Sequence, residues 1–185
     1  KDRKGDARPV FGNGGLLAGY APEDGFRIFL FSMAEGYWSP VEAAFLALGS
    51  GLDAANLVFS GFASNRAPEG GGGVDPVEGV MTAVSAVNAA ARNNLGVGGY
   101  FNILLVDGRA GDPARILREI HDHRSKLASE IVKAQEEAWI PKKAARDLIR
   151  ALLFEDAPFE AVLADFHGAA RSPDRLRRQL RGWPA

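Results

Sequence analysis

Ser50 stands in the most chemically suggestive setting of this 185-residue sequence. It lies in Gly49-Ser50-Gly51, between an apolar run (residues 43–48, AAFLAL) and an alanine-rich helical pattern that starts at Leu52 or Asp53. A strand that turns through glycines into a helix can bring backbone N–H groups up to a bound group. The same junction is also a common way of packing a helix on a sheet. A serine-hydrolase elbow, G-x-S-x-G, wants glycine two residues before the nucleophile, and Leu48 stands there. The sequence is therefore a poor match to a Ser/His/acid triad.

Other reactive groups are few. His121-Asp122-His123 invites a metal reading, but on a helix residues i and i+2 point about 200° apart and cannot share one ion. No metal site is expected. His167 falls at a helix end, where a cation complements the dipole. Glu35, Glu42 and Asp53 sit at turns or helix starts, where acids are ordinary surface residues. Two glycine-rich stretches, residues 11–15 (FGNGG) and 93–99 (NNLGVGG), can approach a phosphate, but neither carries the lysine of GxxxxGK[ST]. Arg175, Arg177, Arg178 and Arg181 form a basic tail without interleaved aromatics, so nucleic-acid binding is not expected. No cofactor signature is present.

Composition narrows the classes further. With no cysteine, disulfides, thiolate nucleophiles and cysteine metal sites are excluded. The net charge of −1 exerts no general pull on nucleic acid or anionic membrane. No apolar run approaches the roughly 20 residues that span a bilayer, and the charged first nine residues lack the apolar stretch of a signal peptide. A cytoplasmic protein is the expectation.

These residues need elements to hold them. Residues 16–20 and 26–33 (FRIFLFSM) read as two strands joined by Pro22-Glu23-Asp24-Gly25, and Tyr37-Trp38-Ser39-Pro40 as a short extended piece. Residues 45–48 read as a third strand, so that residues 15–48 form a three-stranded meander. Helices are expected over 52–62 and over 76–92, the second capped by Asp75 with Pro76 at its first position. Its apolar positions are Val77, Val80, Met81, Val84, Val87 and Ala91, beside the small residues Ala83, Ser85, Ala86 and Ala90. Residues 100–106 (YFNILLV) read as a fourth strand. Beyond it come helices only: a long one over 113–139, then 142–154, one from Asp156-Ala157-Pro158, and a short basic one after Ser172-Pro173. The boundary falls near Gly111, giving a sheet-and-helix portion, 1–110, and a helical C-terminal extension, 111–185.

The order of these elements resembles the C-terminal half of a proteasome β-type subunit, a member of the N-terminal-nucleophile hydrolase family. The resemblance covers roughly residues 14–110. It is carried by the strands at 15–20 and 26–33, Gly36-Tyr37, the run from Phe45 to Gly51, Asp75-Pro76-Val77-Glu78 and the stretch from Gly98 to Val106. It implies an α+β fold, an αββα sandwich in which two stacked sheets carry helices on both outer faces. It implies amide-bond hydrolysis, with Ser50, flanked by Gly49 and Gly51, as an accessory group beside the catalytic centre. The family's nucleophile is an N-terminal threonine supported by lysine and aspartate from the first half of the fold, so here the nucleophile is expected outside this chain or lost. Active members carry Asp-x-x-Ser-Gly before the last matched strand. This chain has Asn93-Asn94-Leu95-Gly96-Val97-Gly98, with Asn94 in the region where the acid is expected. An amide cannot hold the negative charge that supports a nucleophile.

The resemblance further implies an oligomer, homo- or heteromeric, with another chain supplying missing strands. Two other functions fit the residues: a non-catalytic interaction or assembly module working through the C-terminal helices, and an α/β enzyme that binds a phosphate-bearing ligand at its glycine loops.

Overall fold

The computed structural model describes residues 14–21, 23–32, 36–65, 74–98, 101–108, 116–174 and 176. They form a mixed α+β chain with two small antiparallel sheets and five helices among the described residues. Strands β1 (Gly14–Ala21), β2 (Gly25–Ser32) and β3 (Tyr37–Pro40) make a meander in that order. Gly25, at φ +72°, opens β2 in the left-handed region that glycine tolerates.

The third strand is not where the hydrophobic run put it. Tyr37–Pro40 pairs with β2, Ser32 opposite Tyr37 and Phe29 opposite Pro40. One more bond, Val41 N–H to Ile28 O at 2.9 Å, ends the ladder. Residues 45–48 then run without strand structure. Apolar runs report burial, whereas a strand also needs a free ladder of donors and acceptors beside it.

Pairing also overturns the long helix expected over 113–139. Residues 113–115 lie outside the described residues, but Leu117–Ile120 is a strand, β5, paired with β4 (Ile103–Val106). The helix, α3, runs only from Asp122 to Glu136. Leu117, Arg118 and Glu119 are good helix formers, so pairing with β4 overrides local propensity here by supplying the competing backbone bonds.

The remaining helices match their patterns closely. Helix α1 spans Leu52–Ser64 and α2 spans Pro76–Asn93. The Asp75 carboxylate accepts the Glu78 N–H at 3.1 Å, the expected cap. Helices α4 (Lys142–Leu153) and α5 (Phe159–Gly168) follow as read. The basic helix after Pro173 falls almost wholly outside the described residues.

The chain divides into two compact units. One comprises residues 1–48 with 106–118, the other 49–105 with 119–185, so the second draws from both sides of Gly111. Every buried hydrophobic residue among the described ones belongs to the second unit. Its core is built around α3, which packs on α2, α4 and α5. Leu127, Ile131, Ile149, Leu152, Leu153 and Phe166 are fully buried there. On α2 the buried stripe runs Val77, Met81, Val84, Asn88; Val87 and Ala91 face solvent instead. Asn88 is accommodated because the Ser129 hydroxyl donates to its Oδ1 at 2.7 Å and its Nδ2 donates to Ser129 O at 3.4 Å. Arg124, on α3, donates to Leu152 O at 2.7 Å and to Ala157 O at 3.0 Å, closing the exposed carbonyl end of α4.

Helix α3 ends in a Schellman turn. Trp139 N–H reaches Ala134 O at 2.8 Å and Ala138 N–H reaches Gln135 O at 3.0 Å. The motif puts Ala138 at φ +56°, where its Cβ is strained. Ala138→Gly should therefore stabilise the protein by about 1 kcal/mol and raise Tm by about 2–4 °C in calorimetry.

Candidate functional site

Of the residues singled out in the sequence, Gly49, Ser50, Gly51 and Asn94 come together at the start of α1. Gly49 takes φ +97° with open space around it. Leu52 N–H bonds Gly49 O at 3.1 Å and Ala55 N–H bonds Gly51 O at 3.1 Å, so the helix grows directly out of the turn. Gly51 is there because nothing larger fits: a Cβ on it would lie 2.5 Å from Ala90 Cβ on α2 and 3.1 Å from Val97 Cγ2. Two small residues thus set the distance between α1 and α2.

Asn94 closes the site from the other side of α2. Its Nδ2 donates to Ser50 O at 2.7 Å, and its Oδ1 accepts Gly96 N–H at 2.8 Å. Val97 N–H returns to Asn94 O at 3.0 Å. Asn93 donates to Ala89 O at 2.8 Å and so finishes α2. Both ends of the Asn94 amide are engaged with backbone, which makes it a latch between two loops.

Ser50 is exposed at this junction, and a Cβ placed on Gly96 would lie 3.7 Å from its hydroxyl. Among the described residues no histidine or carboxylate hydrogen-bonds Ser50 Oγ. Without a base the hydroxyl is a weak nucleophile at neutral pH, although it can still donate a hydrogen bond to charge developing nearby.

The histidines lie apart from this junction in sequence and serve other contacts. His121 precedes α3 and lies 3.5 Å from Glu119 Oε1; His123 packs toward Phe159, with ring centroids 6.1 Å apart. His167 closes the last turn of α5. No cluster of three His, Asp or Glu suited to a metal ion occurs among the described residues. Glu42 and Asp53 are exposed; Glu35, Arg175, Arg177, Arg178, Arg181 and most of the first glycine stretch lie outside the described residues. No described helix is long and apolar enough to cross a membrane.

A second concavity escaped the sequence reading. A cleft of about 250 Å³ opens between α1, α2, α3 and the start of α4. Val58, Phe62, Met81 and Val132 give it apolar walls, and Glu78 and Glu136 reach its lining. Both carboxylates are already matched. Ser85 Oγ and Arg92 donate to Glu136, the latter at 3.3 Å, while Arg146 sits 3.1 Å and Lys142 3.8 Å from Glu78. In sequence Glu78 sits three residues after the Asp75 cap, and nothing singles out Glu136. Only the packing of α2 against α3 and α4 makes them face one space.

Comparison with family models, with curated proteins and with solved structures returned no match.

Two substitutions probe the junction. Gly51→Ala should destabilise by about 1–3 kcal/mol, read by urea denaturation, because α1 must move off Ala90. Asn94→Ala should cost about 1–2 kcal/mol and speed amide exchange at residues 49–52 and 96–97, leaving α3–α5 protected.

Proposed function

We propose that this chain is the glycine–serine–glycine-bearing part of a proteasome-like, N-terminal-nucleophile-hydrolase-type αββα sandwich. It works in an oligomer where further strands and the nucleophile come from residues other than those described. The observation that carries this reading is the β1–β3 sheet. Its register puts Leu16, Ala18, Tyr20, Phe26, Ile28 and Leu30 on one face and Leu17, Phe29, Phe31 and Trp38 on the other. An antiparallel sheet with one wet face alternates apolar and polar residues; this one is apolar on both. Yet none of these residues is buried, and Leu17 is 53% and Trp38 65% exposed. A sheet so composed is suited to cover on both sides, as the middle layers of a four-layer sandwich are.

Within that reading the reaction is amide-bond hydrolysis. Ser50, held by Asn94 and flanked by Gly49 and Gly51, helps to hold the oxyanion and leaves nucleophilic attack to another group. The engaged Asn94 amide and the absence of a base at Ser50 among the described residues favour one other reading, a non-catalytic assembly module of the same architecture.

Light scattering coupled to size exclusion, followed by a fluorogenic peptide panel on the assembled protein, separates these. The reading expects a species heavier than the 19.7 kDa chain. It also expects peptide turnover that falls about 100-fold in Ser50→Ala with the circular dichroism unchanged. A stable, ANS-silent monomer would sink the oligomer. Assembly without turnover, or turnover indifferent to Ser50→Ala, would select the scaffold.

A further inference from the structure

The free edge of β1 is unusual for a sheet edge. Among the described residues no strand pairs with it, and its eight residues, GGLLAGYA, contain no charge and no proline. Soluble proteins guard such edges with lysines, prolines or bulges, because the open row of N–H and C=O groups accepts any extended chain. Here the guards are missing along the full strand.

One charge sits close behind this edge. Arg27, on β2, lies opposite Gly19 of β1. Register places it on the Leu17–Phe29–Trp38 face, where it is the only charged residue among the described strand positions. Arg27 is exposed and makes no ion pair with a described residue; Glu42, beyond the end of β3, does not reach it. Gly19 has no side chain, so the guanidinium can extend across the edge strand toward whatever pairs there.

We propose that the β1 edge receives an extended strand of another polypeptide, with an Asp or Glu opposite Gly19 that pairs with Arg27 and apolar residues opposite Leu16, Leu17 and Tyr20. This deepens the reading above and rests on it for the existence of a partner strand. A second copy of this chain fits less well. Antiparallel pairing of β1 with itself must keep faces matched, and centring it on Ala18 puts Leu17 of the other copy opposite Gly19. No acid then meets Arg27. Main-chain bonds supply the affinity of such strand addition and side chains on alternate faces supply the choice of partner.

Blocked eight-residue peptides with valine at the positions that would face Leu16, Leu17 and Tyr20, Glu or Lys at the position that would face Gly19, and threonine elsewhere test this on the full chain. The readouts are fluorescence anisotropy and hydrogen-exchange protection of residues 14–21. The Glu peptide should protect these amides and bind about fivefold tighter than the Lys peptide, and Arg27→Gln should erase that difference without abolishing binding. Equal binding of the two peptides, or protection elsewhere but not in β1, would overturn the proposal. Ala18→Cys supplies the control, since the chain has no other cysteine. A disulfide-linked homodimer formed in high yield would show the edge taken by a second copy and would also overturn it. Neither result depends on peptide hydrolysis, so the edge and the catalytic reading fail separately.

Discussion

The helical unit depends on how closely α2 can lie against α3. Both helices bury small residues, Ala86, Ala89 and Ala90 on one and Ser125, Ala128 and Ser129 on the other, and Ser85, Asn88 and Arg92 of α2 reach Glu136 and Ser129 of α3. Within this seam Asn88 and Ser129 exchange two hydrogen bonds across the interface. A buried amide left without partners costs about 1–3 kcal/mol, so only an alignment that joins these two residues avoids the penalty. The pair therefore selects one register from the several that small, nearly featureless surfaces allow. Leu127, Ile131 and the apolar faces of α4 and α5 then fill the core around α3.

That same seam fixes the far end of α2, and with it the junction at Ser50. Ala90 is shared: it is part of the buried face of α2, and its Cβ sets the floor under Gly51. From there Asn94 ties the loop after α2 to the Ser50 carbonyl. The position of Ser50 is thus inherited from helix packing through a short chain of contacts. The cleft bounded by Glu78 and Glu136 has the same origin, since each carboxylate is held by a cation or hydroxyl from a neighbouring helix turn or from another helix.

The other unit stands in contrast. Its three-stranded sheet has apolar side chains on both faces, but none of its described residues is buried. Fully burying a large apolar side chain is worth about 1.5–3 kcal/mol, and here Ile28, Phe29, Leu30 and Phe31 are only partly buried and Leu17 and Trp38 are exposed. Packing within the sheet is local, as where Phe31 lies over Gly15 and tilts against Trp38 with centroids 5.4 Å apart. Among the described residues the sheet thus lacks a buried core, whereas the helical unit has one.

Much was legible in the sequence where the signal is local. The Asp75-Pro76 cap, the period of α2, α4 and α5, the β1–β2 hairpin and the glycine turn before α1 follow from backbone preferences and from the spacing of apolar residues. The proximity of Gly49, Ser50, Gly51 and Asn94 was anticipated only through the order of elements. What the sequence could not decide depends on partners distant along the chain. Residues 45–48 (FLAL) are wholly apolar and 117–120 (LREI) only half so, yet the second is the strand, because β4 offers it a ladder to pair with. Asn88 looks like an interruption of an apolar stripe until Ser129 is seen opposite it. Nothing in the sequence links Glu78 to Glu136; three helices bring them to one cleft. Local chemistry determined which segments are helix, turn or hairpin; tertiary structure decided which backbones pair and which polar groups are satisfied, because hydrogen bonds and close packing need a second surface that one stretch of sequence does not contain.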